Sequence, residues 1–63
     1  MKGHSMKEYE VFVDTDNGFL GLMIEAENRN KLYAELRKML PNDIGADAWG
    51  IEPDTLDEFP IKW

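Results

Sequence analysis

Residues 14–18 read Asp14-Thr15-Asp16-Asn17-Gly18, "DTDNG", and two alternating apolar runs flank them. Upstream, "YEVFV" (Tyr9–Val13) puts Tyr9, Val11 and Val13 on one side and Glu8, Glu10 and Phe12 on the other. Downstream, "FLGLMIEA" (Phe19–Ala26) puts Leu20, Leu22, Ile24 and Ala26 on one side. Phe19, Gly21, Met23 and Glu25 take the opposite side. A period of two is that of a half-buried strand. Asn-Gly between two such runs is a strong hairpin signal, because both residues tolerate positive φ. Gly21, inside the second run, marks a bulge or a close packing contact.

The same five residues also resemble the start of a calcium loop. An EF-hand loop needs oxygens at positions 1, 3 and 5, glycine at 6 and glutamate at 12. Counting from Asp14, Asp16 and Glu25 fall at 3 and 12, but glycine arrives at 5 and Phe19 at 6. The flanks are strands, and a strand rising ~3.3 Å per residue carries Glu25 far from the turn. The segment is therefore expected to be a hairpin turn with solvated carboxylates, and no metal or cofactor is assigned.

Beyond the hairpin the period changes. In "NRNKLYAELRKML" (Asn28–Leu40), Leu32, Leu36, Met39 and Leu40 share one helical face with Tyr33 on its flank. Asn28 is positioned as N-cap and Pro41 ends the run. Glu35 is within reach of both Lys31 and Lys38. "AWGIE" (Ala48–Glu52) reads as a short strand stopped by Pro53, with Trp49 expected in the core. Thr55 and Glu58 have capping-box spacing and suggest one helical turn. Phe59, Ile61 and Trp63 alternate, and Pro60 suits an edge strand. Trp63 either closes the core or remains an exposed anchor. The expectation is an α+β domain in ββαβ order: an antiparallel sheet of about three strands with one helix on one face.

At 63 residues the chain makes a single domain over residues 6–63, with 1–5 ("MKGHS") a leader or tag remnant. A chain this short buries only about 60% of its unfolded surface. Its apolar residues are committed to covering a core, so a flat or edge-on binding surface is expected rather than a deep pocket. The absence of cysteine excludes disulfides and thiolate metal sites. No apolar run approaches the roughly 20 residues of a membrane span, and a cytoplasmic location is expected.

Nucleophilic catalysis lacks its parts. His4 and Ser5 are the sole histidine and serine, both in the leader, so no Ser/His or Cys/His system is available. A carboxylate pair of the glycosidase kind needs a cleft that this core can hardly build. Thirteen acids among 63 residues create close pairs by chance. The chain is expected not to be an enzyme.

Thirteen acids face seven bases, a net charge of −6. Residues 1–27 carry −4 and residues 42–63 carry −5, while 28–41 carry +3 from Arg29, Lys31, Arg37 and Lys38 against Glu35. The basic helix reads as a solvated face balanced by neighbouring acids rather than a phosphate contact. The overall field repels nucleic acid and attracts basic surfaces. Candidate partner-binding residues are therefore Glu8 and Glu10 on strand one, Asp14 and Asp16 at the hairpin tip, Glu25 and Glu27. The C-terminal group adds Asp43, Asp47, Glu52, Asp54, Asp57 and Glu58.

In size, charge, lack of cysteine and ββαβ order over residues 6–63, the chain resembles the small acidic inhibitors that phages encode against host defences, such as DNA-mimicking anti-CRISPR proteins. "MIEAENRNKLYAELRKML" (23–40) also resembles the strand-then-helix half of many small phage and antitoxin proteins. The +3 helix departs from a uniformly acidic mimic. The resemblance implies a protein partner with a basic nucleic-acid-binding groove, such as a CRISPR effector complex, and an activity that blocks DNA entry in the host cytoplasm. The alternative is an antitoxin-like accessory module that binds through its C-terminal tail, Leu56–Trp63, or through a sheet edge.

Overall fold

The structure, a computed structural model, describes residues 6–63; the leader expected over 1–5, with His4 and Ser5, lies outside the described residues. The order is β1 (Lys7–Thr15), β2 (Gly18–Ala26), α1 (Arg29–Met39), a 3-10 turn (Pro41–Asp43), β3 (Ala48–Ile51) and β4 (Glu58–Pro60). Four strands form one antiparallel sheet in the order β2-β1-β3-β4. The expected ββαβ order with three strands is thus corrected to ββαββ with four. β4 exists because Gly50 and Ile51 pair with Phe59 and Glu58, and Ile61 N–H continues the pairing to the Ala48 carbonyl.

The hairpin forms where expected, by different turn chemistry. β1 and β2 pair without interruption from Lys7↔Ala26 to Thr15↔Gly18, leaving Asp16 and Asn17 as the loop. Within the turn only Gly18 takes positive φ, at 111°, while Asn17 does not. Thr15 fixes the turn: its Oγ1 accepts from Asn17 N–H at 3.2 Å and donates to the Gly18 carbonyl at 2.6 Å. Gly21 makes no bulge. It pairs with Phe12, and a Cβ there would meet the Phe12 ring at 3.5 Å.

Helix α1 begins at Asn28, whose Oδ1 accepts from Lys31 N–H at 2.9 Å. Arg37 and Lys38 in its last turn suit the negative end of the helix. Leu32 and Leu36 are fully buried against Tyr9, Val11, Val13, Ile24 and Ala26. Met39 is corrected from core to surface, at 53% exposure. It is the last residue of the helix, and the adjacent Leu40 packs against the core in its place. Tyr33 turns toward β4 instead, donating its hydroxyl to the Pro60 carbonyl.

The C-terminal segment closes the far side of the core with Phe59 and Ile61, both buried. Trp63 packs against the core and donates Nε1–H to the Ala46 carbonyl at 2.7 Å. The helical turn expected at Thr55 is absent, because Glu58 is drawn into β4. Thr55 Oγ1 instead accepts from Asp57 N–H, and Leu56 takes φ 64° with its N–H bonded to the Glu52 carbonyl. Among the described residues, no helix is long and apolar enough to cross a membrane.

Candidate binding surface: the helix-free face of the sheet

One helix covers one face of the sheet. The opposite face is built from the alternate residues of each strand, and the register arranges them in rows. Asp14 pairs with Phe19. Phe12 stands between Gly21 and Trp49, and Trp49 pairs onward with Pro60. Glu10 stands between Met23 and Ile51, and Ile51 pairs with Glu58. Glu8 pairs with Glu25. Directly opposed side chains have Cβ atoms about 5 Å apart, and successive rows are separated by about 7 Å.

Two features define this face. The first is an aromatic strip. Trp49 contacts Phe12 at a ring-centroid distance of 6.0 Å and Phe19, edge-on, at 5.8 Å. Phe19 is 71% exposed and Met23 54%. Trp49, expected in the core, is half-buried here. Alternation sends Ala48 and Gly50 toward the helix side, and Phe59 fills the space under Gly50.

The second feature is its charge. Every ionisable residue at a paired position of this face is an acid: Glu8, Glu10, Asp14, Glu25 and Glu58. All five are exposed. Glu8 and Glu25 are like charges set directly opposite each other, an arrangement that costs sheet stability.

The other acids are placed differently. Asp16 sits in the hairpin loop and lines a shallow depression with Phe19 and Asp43. Asp47 precedes β3 and its carbonyl accepts from Asp14 N–H. Glu27 lies beside Lys31 and Glu35 along a groove between β2 and α1. Asp57 is exposed beyond the turn, and its carbonyl accepts from Glu52 N–H. Glu25 stands at the end of β2 remote from Asp14 and Asp16, so the hairpin does not gather a calcium loop.

Glu52 does not belong to the exposed acidic set. Its residue is 8% exposed, and its carboxylate receives Lys7 Nζ and Arg29 Nε, each at 3.2 Å. Asp54 is likewise engaged, 3.0 Å from Lys7 Nζ. The hydrogen bonds to Asp54 and then Glu52 raise the Lys7 pKa above 10.5. Arg29 also stacks over the Phe59 ring, 4.0 Å from its centroid. On the helix, Lys38 rather than Lys31 takes Glu35, at 3.7 Å, and Arg37 donates to the Trp63 carbonyl. Lys7, Arg29 and Lys38 thus pair with acids on their own side of the molecule.

Sequence reasoning located the acids of the open face but not the aromatic strip among them. Its signal was present in the placing of Phe12 with Glu8 and Glu10, and of Phe19 with Met23 and Glu25. A single helix cannot cover both faces of a sheet.

These features define a small α+β domain with a four-stranded antiparallel sheet, covered on one face and bare on the other. Comparison with protein-family models, curated proteins and solved structures found no match.

Proposed function

We propose that the protein is a non-enzymatic inhibitor that binds a basic, nucleic-acid-binding surface of a host protein, in the manner of an anti-CRISPR DNA mimic. The helix-free sheet face is the contact surface. Glu8, Glu10, Asp14, Glu25 and Glu58 take the place of phosphates before arginines and lysines of the partner, in the host cytoplasm. The observation that carries this reading is the Glu8–Glu25 pair on a face with no cation at any paired position. Lys31 and Lys38 of the helix share a groove with Glu25 at the sheet edge, and cations of a partner docked on the open face relieve the repulsion further.

The test uses purified CRISPR effector complexes and their target DNA. The protein should compete with DNA, and competition should weaken steeply between about 50 and 200 mM salt, as contacts of the phosphate kind do. Glu8→Gln/Glu10→Gln/Glu25→Gln should abolish it, whereas Asp57→Asn should not. DNA binding left untouched by the protein at low salt across all such complexes rejects this reading.

The alternative accessory module draws support from one edge only. Phe59 and Ile61 of the tail are buried, and Trp63 is engaged with Ala46, so the tail is part of the core. The outer edge of β2 is nine residues long with Glu25 its single charge, an edge suited to accept another strand. Binding of that kind tolerates salt.

A further inference from the structure

We propose that the strip formed by Trp49, Phe12 and Phe19 is an arginine-selective anchor, which takes a guanidinium of the partner between an aromatic ring and a neighbouring carboxylate. This inference rests on the reading of the open face as a surface for a basic protein, and it specifies which basic side chain is recognised.

The strip is an unpartnered sheet face. Phe19 is 71% exposed and Met23 54%, and rings in contact at 5.8 and 6.0 Å form a continuous apolar surface beside Pro60. Its charge selects the occupant. The ionisable residues at its paired positions are all acids, and the single Lys62 just past Pro60 leaves the face net negative, so the occupant carries positive charge. A second copy laid face to face would set Glu8, Glu10 and Glu25 against carboxylates of the same kind. Single-stranded nucleic acid, which stacks on aromatic sheet faces elsewhere, needs a positively charged groove and is repelled here.

Arginine suits this surface better than lysine. Its planar guanidinium stacks on aromatic rings and is weakly hydrated, whereas an ammonium is a compact, strongly hydrated charge. Trp is the strongest cation–π partner among the side chains. Glu10 lies two residues from Phe12 on one strand, and Glu58 two from Pro60 on another, so each aromatic row has carboxylates about 7 Å away. The molecule already contains this arrangement once. On the helix side, Arg29 stacks on Phe59 at 4.0 Å while its Nε donates to Glu52 at 3.2 Å. The open face presents the same two partners, ring and carboxylate, without the arginine.

The experiment uses the full chain carrying Trp63→Phe, in which Trp49 is the sole indole, titrated with nona-arginine and with nona-lysine at about 150 and about 500 mM salt. Nona-arginine should bind about fivefold more tightly than nona-lysine, and the preference should persist at the higher salt. Trp49 emission should change with the arginine peptide and stay constant with the lysine peptide. Phe19→Ser, at a largely exposed position, should lower the arginine preference and leave lysine binding unaltered. Should Trp63→Phe fail to fold, 19F spectra of 5-fluorotryptophan-labelled wild type give the Trp49 signal directly. Equal affinities with an unmoved Trp49 overturn the anchor and leave the acidic-surface reading standing. If neither peptide binds, both fall. A dimer in sedimentation that Phe19→Ser dissociates also overturns the anchor, since the strip then serves a second copy.

Discussion

Gly50 and Phe59 face each other across β3 and β4, and the phenyl ring occupies the volume a side chain at position 50 would need. A Cβ built on Gly50 comes within 2.6 Å of Phe59 Cζ. Phe59 cannot swing away. It is 4% exposed, edge-on to Tyr9 at 5.9 Å, close to Tyr33, and capped by Arg29. Gly50→Ala is therefore expected to destabilise the fold by about 1–3 kcal/mol, the cost of overpacking a filled core. Urea denaturation checks this; a loss near zero would show that the ring has room to yield.

Glu52 ties the start of β1 to the start of the helix, through Lys7 and Arg29. Its removal does not bury an unpaired charge, because Lys7 keeps Asp54 and the Arg29 side chain is 44% exposed. Glu52→Ala is expected to cost about 1–3 kcal/mol, below the range for breaking a deeply buried pair. Glu52→Gln, which keeps the shape and an acceptor oxygen, should cost less. The order of the two melting temperatures is the measurement, and Gln worse than Ala would contradict it.

Of the three described residues with φ in the left-handed range, Gly18, Gly45 and Leu56, the first and last differ in what the conformation costs. Gly18, at 111°, has open space where a Cβ would point. Any loss in Gly18→Ala is thus a backbone cost, of about 1 kcal/mol or more. D-alanine at position 18, installed by synthesis, should restore stability. Leu56 holds φ 64° with a side chain 74% exposed. Leu56→Asn places there a residue that tolerates this conformation, and should stabilise by about 0.5–1 kcal/mol. Chemical denaturation of the three variants tests both statements.

The alkaline limb of stability follows from Lys7 and Tyr9. Lys7 is raised above 10.5 by its hydrogen bonds to Asp54 and Glu52. Tyr9 is raised above 10.0, chiefly by burial and then by the negative charge of Glu52. In both cases the folded chain holds its proton more tightly than the unfolded chain. Their contribution is complete below about pH 10 and is lost as pH rises through the folded values. Melting temperature should fall from about pH 10 upward, and Tyr9→Phe should make that fall shallower. An unchanged alkaline slope in Tyr9→Phe removes Tyr9 from the account.

Much of this molecule is local, and what is local was legible. The period-two runs around DTDNG set both hairpin strands and the two faces of each. Asn28 and Pro41 bounded the helix within a residue or two, because caps and breakers act over a single turn. The charge blocks set the sign of the surface. Tertiary structure decided which face of the sheet the helix covers, and with it whether Trp49 is core or surface. It decided that Glu58 joins β4 rather than a capping box, since strand pairing outweighs one local side-chain bond. It also withdrew Glu52 from the acidic display by placing it between Lys7 and Arg29, 45 and 23 residues away. Periodicity and capping report forces between neighbours in the chain, whereas burial of a face and pairing of a charge depend on partners that only the closed fold brings near.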